Sequence, residues 1–296
     1  LFSAIAAAIF IEAMPFLVIG ALFSAMIEVF VSTERLMRHI PESTAGRLAF
    51  AIGAGFILPT CECGVVPIVR RLMRKGVPPF MAIAYMLAAP IVNPVVLAST
   101  YFAFRGSFAM VLARVAVAVL TAAMLGLYAR RSHDVFLSTN ECMCHNDHFG
   151  DECHHDHSGD PFTRKVQSVM LHSAHEFMDM GKFLIAGAIA AAAFKTLLPE
   201  NIISYFSGNL ELSIIGMMAL AILLSICSEA DAFVAASFQV FPTASKLAFV
   251  GIGPMVDLKL IGMYAVTFNR KVVPALVVGP VVSVFLLSWL FGQTGL

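Results

Sequence analysis

The residues able to do chemistry in this chain are gathered in a few short stretches. "LPTCECGVVP" (positions 58–67) sets Cys61 and Cys63 one residue apart around Glu62, between Pro59 and Gly64, inside a strongly apolar run. A C-x-C spacing lets an extended turn aim both sulfurs at one soft centre, and thiolates select Cu(I), Zn(II) and thiophilic metalloids. Glu62 can accept a proton or balance the charge of a bound ion, and the cost of a carboxylate in an apolar segment argues for such a role. The plainer alternative makes both cysteines small packing residues and pairs Glu62 with an arginine such as Arg70.

"ICSEADAF" brings Cys227, Ser228, Glu229 and Asp231 together in a second apolar region. Two carboxylates beside a thiol and the hydroxyls of Ser225 and Ser228 can bind a cation or pass protons; a polar turn capping the next helix is the alternative. In "AAPIVNPVV" and "GIGPMVDLK", proline frees backbone carbonyls, with Asn93 or Asp257 close enough to use the opening. A simple kink, with Asn93 bonding across helices, competes with that reading. Glu12 and Asp179 stand as coupling carboxylates or as hydrated interfacial acids, Asp179 with Lys182 as a local partner.

A polar loop, "NECMCHNDHFGDECHHDHSGD", supplies Cys142, Cys144, His145, His148, Cys153, His154, His155 and His157. Thiolate and imidazole at this density are metal ligands for Zn or Cu, and the spacing suits adaptable chelation better than a zinc finger. With three cysteines in apolar segments and three in this loop, a disulfide framework is not expected. His172 and His175 read as interfacial polar residues, with an extension of the metal path as the alternative.

These stretches must be held by membrane elements. Of 296 residues 59% are hydrophobic and only 13% charged, the mean hydropathy is +0.86 and the formal net charge is zero. A soluble domain needs more polar surface, so the expectation is an all-α polytopic membrane protein, with neither nucleic-acid binding nor a soluble active-site fold. Apolar segments from about Phe2 to Val31, Val77 to Phe104, Phe108 to Tyr128, Val169 to Leu198, Phe241 to Phe268 and Val272 to Trp289 are long enough to cross a hydrocarbon core of ~30 Å. The first exceeds a signal-peptide core and is read as a transmembrane helix, with residues expected before Leu1. Stretches around Leu48 to Val69 and Leu210 to Val240 are interrupted and read as broken helices or re-entrant hairpins, with "PTCECG" an unwound tip.

An internal repeat organises the chain. Cys63, Pro78, Pro90 and Asn93 match Cys227, Pro242, Pro254 and Asp257 at a constant offset of 164 (227 − 63). "FLVIGA" is echoed by "FLIAGA" at an offset of 167 (183 − 16). The expected domains are a first membrane repeat, 1–131, a Cys/His-rich linker, 132–165, and a second repeat, 166–296. Three full spans and one hairpin per half put Arg35, Arg38, Arg47, "RRLMRKG", Arg130, Arg131, Arg164, Lys165, Arg270 and Lys271 in the cytoplasm, with the halves inverted. A parallel arrangement follows if Val77 to Phe104 is itself a hairpin. Inverted repeats with broken helices are a transporter signature.

Taken together, "TCECGVVP", "LAAPIVNP" and "CSEADAF" resemble the ArsP-like predicted permease family over about Ile9 to Leu287. The resemblance implies export of a soft, thiol-seeking substrate, trivalent organoarsenicals among the family's cargoes, with Cys61, Cys63 and Cys227 at the matching positions. The Cys/His loop is similar to the branch regarded as copper/zinc efflux permeases. The expectation is therefore a permease of the bacterial-type inner membrane, not an enzyme, that exports Cu or Zn by ion-coupled alternating access. It requires no cofactor, and protons are the simplest coupling ion because no Walker A motif or phosphorylation site is visible. Organoarsenical efflux, a membrane thiol oxidoreductase using Cys61 and Cys63, and a metal sensor are the alternatives.

Overall fold

The computed structural model describes residues 40–57, 60, 62–131 and 209–293, with scattered helical positions at 7, 11, 18, 22 and 26 and between 167 and 189. Among the described residues there are helices and no strands. In the first half these are α1 (Thr44–Ile57), α2 (Glu62–Arg74), α3 (Pro79–Val92), α4 (Pro94–Ala103) and α5 (Phe108–Arg131). In the second they are α6 (Leu210–Leu224), α7 (Asp231–Ser237), α8 (Thr243–Ile252), α9 (Leu258–Thr267) and α10 (Val273–Gln293).

Two of them, α5 with 24 residues and α10 with 21, are long and apolar enough to cross a membrane unbroken. At 1.5 Å rise per residue each exceeds a hydrocarbon core of about 30 Å. Their outer faces are apolar. Val278, Val282, Leu286 and Leu290 recur every fourth residue along α10 and are exposed, as are Phe108, Leu112, Leu120 and Met124 on α5. Such stripes suit lipid, while the polar Ser283 and Ser288 of α10 and Arg114 and Thr121 of α5 turn inward.

The segments 77–104 and 241–268, expected as continuous spans, are each broken. Between α3 and α4 the chain bends by 42°. Pro94 disfavours the helical region for the residue before it, and Asn93 accordingly sits at φ −54, ψ 127. Between α8 and α9 the break falls at Gly253 to Asp257, where Asp257 is extended at φ −141, ψ 174. The first halves of these broken elements are central: every residue of α3 from Phe80 to Ile91 is buried, and α8 is buried over Leu247 to Ile252.

The element starts keep the sequence offset, since α8 begins 164 residues after α3 (243 − 79) and α9 begins 164 after α4 (258 − 94). Between these two sets of helices, α2 packs on α9, and α4 packs on α7. α5 meets both α8 and α10. Within the first half, α1 lies so close to α3 that a Cβ built on Gly55 would stand 2.6 Å from the Ala89 Cα.

Gly55→Val is accordingly expected to destabilise the protein by about 1–3 kcal/mol through overpacking, seen as a lower thermal unfolding midpoint in detergent. Gly53→Ala, where the added Cβ meets nothing within 4 Å, is expected to leave the midpoint unchanged or raise it.

Candidate functional site

Three short helices each begin with an acid. Glu62 lies in the first turn of α2, Asp231 is the first residue of α7, and Asp257 caps α9, its Oδ1 accepting from the Leu260 N–H at 2.6 Å. The N-terminal end of a helix carries partial positive charge and unsatisfied N–H groups, which favour carboxylates there. Asn93 does the same uncharged for α4, its Oδ1 accepting from the Val95 N–H at 3.0 Å. Asn93 and Asp257 thus serve the helix that follows each break rather than the carbonyls freed by proline. At the second break the Met255 carbonyl is met instead by the Tyr264 hydroxyl, 3.0 Å away.

The expected unwound tip is narrower than "PTCECG". Glu62, Cys63 and Gly64 already belong to the first turn of α2, because an acid followed by small residues suits a helix start. The second tip is wider. Ser225, after α6, takes the left-handed conformation at φ 47, ψ 47, a position that costs a non-glycine residue roughly 1–2 kcal/mol. Its hydroxyl donates to the Ile222 carbonyl at 3.1 Å and accepts from the Leu258 N–H at 3.3 Å, tying this turn to the start of α9.

The turn after Ser225 presents Cys227, Ser228 and Glu229. Ser228 does not cap α7, whose cap position is Ala230 without a side-chain bond. Its hydroxyl reaches into the other half and donates to Glu62 Oε2 at 3.0 Å. The Cys227 thiol donates to the Glu229 carboxylate.

Two buried cations complete the cluster. Lys259 Nζ stands 3.6 Å from Glu62 Oε1 and 3.3 Å from Asp257 Oδ2. Arg114 Nη2 pairs with Asp231 Oδ2 at 2.7 Å and lies 3.4 Å from the Ser228 carbonyl, while its Nη1 donates to Thr100 Oγ1 at 2.6 Å. Relative exposure is 0% for Arg114 and Asp257 and 1% for Glu62, Asp231 and Lys259. Glu62, Glu229, Asp231 and Asp257 outnumber the two cations, so the cluster carries excess formal negative charge. Sequence reasoning missed Arg114, Thr100 and Lys259. A cation inside an otherwise apolar segment was the available signal, since such a charge persists only where it is partnered.

The structure therefore brings Glu62, Ser228, Lys259 and Asp257 together, pairs Cys227 with Glu229, and pairs Asp231 with Arg114. Glu62 contacts Ser228 and Lys259 in place of the arginine partner considered above. Cys61, Glu12, Asp179, His172, His175 and the loop ligands Cys142, Cys144, His145, His148, Cys153, His154, His155 and His157 lie outside the described residues, and Cys63 is described only as part of α2. Among the described residues no group of three His, Cys, Asp or Glu side chains is gathered as a metal site. What is present is a sheltered, charge-dense position at helix breaks, with carboxylate, hydroxyl and thiol groups drawn from both halves.

Comparison with known proteins places the chain among transport proteins. The ArsP_1 family, described as "Predicted permease", matches residues 1–293. A protein of Streptococcus mutans described as a subunit of a two-component membrane permease complex is 38% identical over 272 residues, covering 90% of this chain and 87% of the relative. The YcgR protein of Bacillus subtilis is 38% identical over 277 residues, covering 93% of this chain and 92% of its own. No solved structure matches the chain.

Removing Arg114 leaves Asp231 buried without its partner, so Arg114→Met is expected to cost about 3–5 kcal/mol of stability. The double variant Arg114→Met/Asp231→Leu, which removes both charges, is expected to recover most of that loss. Unfolding of the two variants and the wild type in detergent checks it.

Proposed function

Because this chain belongs to the ArsP-type family of predicted permeases, we propose that it exports a soft metal ion, Cu(I) or Zn(II), across the bilayer by ion-coupled alternating access. The observation that carries this reading is the bond between Ser228 and Glu62, flanked by Lys259 and Asp257. It joins the broken elements of both halves at a buried polar position, which is where transporters of broken-helix type hold their cargo.

In this mechanism the halves, 1–131 and 166–296, are inverted repeats, and the matching offsets and contacts of α2–α9 and α4–α7 support that arrangement. Cys61, Cys63 and Cys227 supply soft sulfur ligands, while Glu62, Ser228, Glu229 and Asp257 supply oxygen ligands or accept the coupling proton. Asp231 acts through its pair with Arg114, and Asn93 through the start of α4. Alternating access means that α4 and α9 shift against α7 and α2, so the cluster is opened first to one side and then to the other. The linker, 132–165, collects Zn or Cu on the cytoplasmic side of the inner membrane and delivers it to the site. The relative from Streptococcus mutans belongs to a two-component complex, and a second subunit of that kind is the partner proposed for this chain.

The test is transport of Cu(I), Zn(II) and a trivalent organoarsenical in proteoliposomes, comparing wild type with Cys61→Ser/Cys63→Ser and with Glu62→Gln. Movement of Cu(I) or Zn(II) is expected, reduced at least roughly tenfold in both variants, in line with the loss of metal-site groups. Cysteine-dependent movement of the organoarsenical alone would rename the cargo, and movement of none would sink the reading. Replacing Cys142, Cys144 and Cys153 by serine is expected to lower the number of Zn(II) ions bound per chain, measured at equilibrium by dialysis.

A further inference from the structure

Within the reading of the cluster as a cargo site, on which this step rests, Lys259 is unexplained. An ammonium group stands between two carboxylates that a cation cargo would otherwise occupy. Its contacts with the two carboxylates, 3.6 Å to Glu62 Oε1 and 3.3 Å to Asp257 Oδ2, are those of a point charge rather than of tight hydrogen bonds, and Asp257 Oδ2 makes no aligned bond. The cluster's other cation behaves differently. Arg114 grips Asp231 and Thr100 at 2.7 and 2.6 Å, as the planar guanidinium fork does when it serves as a permanent brace.

The repeat sharpens the contrast. At the offset of 164, Asp257 and Lys259 stand opposite Asn93 and Val95. The second half thus carries an acid and a base together, two residues apart, where the first half carries neither. An acid needed only to cap α9 would not require the lysine, since Asn93 caps α4 without any charge.

Carboxylate oxygens are hard ligands, and a buried pair of them suits Na+, Mg2+ or Ca2+. All three are far more abundant around cells than a soft metal, so an open Glu62–Asp257 pair would be filled by the wrong ion. We propose that Lys259 is a specificity-determining residue: its tethered ammonium occupies the place between Glu62 and Asp257 and so denies it to hard cations. Because the ammonium is attached to α9, next to Asp257, it competes as a group at high effective concentration. It does not compete for sulfur, because an ammonium forms no bond of the metal–thiolate kind. Selection then falls to thiols such as Cys227, in the turn that also carries Ser228, and the soft cargo is favoured by exclusion of its rivals. Among the other titratable groups, Cys227 lies within electrostatic reach of Lys259 and is bonded to Glu229, while Asp231, within reach of Glu62, is paired with Arg114.

Equilibrium binding of radiolabelled sodium and calcium to the full-length protein in detergent tests this, using wild type, Lys259→Met, Lys259→Gln and Lys259→Arg. Wild type and Lys259→Arg, which keeps the charge, are expected to show no saturable binding of either ion. Both neutral variants are expected to gain saturable binding of at least one of the two ions, about tenfold or more tighter than wild type, and Glu62→Gln added to Lys259→Met is expected to abolish it. A lysine that only stabilised the fold would create no such site. Wild type binding these ions as tightly as the neutral variants, or neutral variants that gain no site or fail to fold while Lys259→Arg is sound, would overturn the proposal. The readout uses no soft metal, so a wild-type protein that moves none defeats the cargo reading while the sodium and calcium results still decide the role of Lys259.

Discussion

A charge enclosed by apolar protein and lipid must find its opposite, and that requirement governs how the two halves of this molecule dock. Arg114 comes from α5 in the first half, and its acid, Asp231, opens α7 in the second. Lys259 comes from α9 in the second half, and Glu62 opens α2 in the first. These two ion contacts cross between halves, one in each sense, while Lys259 also meets Asp257 on its own side. Removing Arg114 would leave Asp231 buried without its ion-pair partner, a far larger penalty than the loss of one surface contact.

The helix breaks follow from the same constraint. A continuous helix satisfies its own backbone and offers a buried acid nothing, whereas an interrupted one exposes N–H groups and a partial positive charge at each new start. Glu62, Asp231 and Asp257 all occupy such starts. The backbone opened by the interruptions is taken up locally, by Tyr264 on the Met255 carbonyl and by the left-handed Ser225, whose hydroxyl ties the 225–230 turn to α9. Irregular backbone of this kind persists at membrane depth only where protein surrounds it. Around it, α3 and α8 are buried along most of their length, and α5 and α10 turn their apolar stripes outward. A small charged cluster is thus enclosed within an otherwise apolar core.

The cluster holds two cations with different chemistry, Arg114 and Lys259. Arginine stays charged and holds a fixed fork, which suits a permanent joint between halves, while the lysine between Glu62 and Asp257 sits at looser distances. A permease must be rigid enough to keep its halves registered and loose enough at one point to exchange partners with a cargo. In the mechanism proposed above, Arg114 would meet the first demand and Lys259 the second.

Sequence alone determined the membrane class, because 59% hydrophobic residues cannot be hidden in a soluble chain of this length. It also determined the family, and it marked the stretches around 48–69 and 210–240 as interrupted, because proline, glycine and polar residues break an apolar run locally wherever they occur. Glu62, Ser228, Asp231 and Asp257, which the structure buries in one cluster, stood out in the sequence because a polar group in an apolar run is conspicuous without knowing its partner. The spans 77–104 and 241–268 were legible as apolar but not as broken, since hydropathy does not register a bend at Asn93 or at Asp257. What only the tertiary structure decided is the pairing. Arg114 meets Asp231 across 117 residues of chain and Ser228 meets Glu62 across 166, and no local pattern encodes which buried charge will face which once the halves have packed.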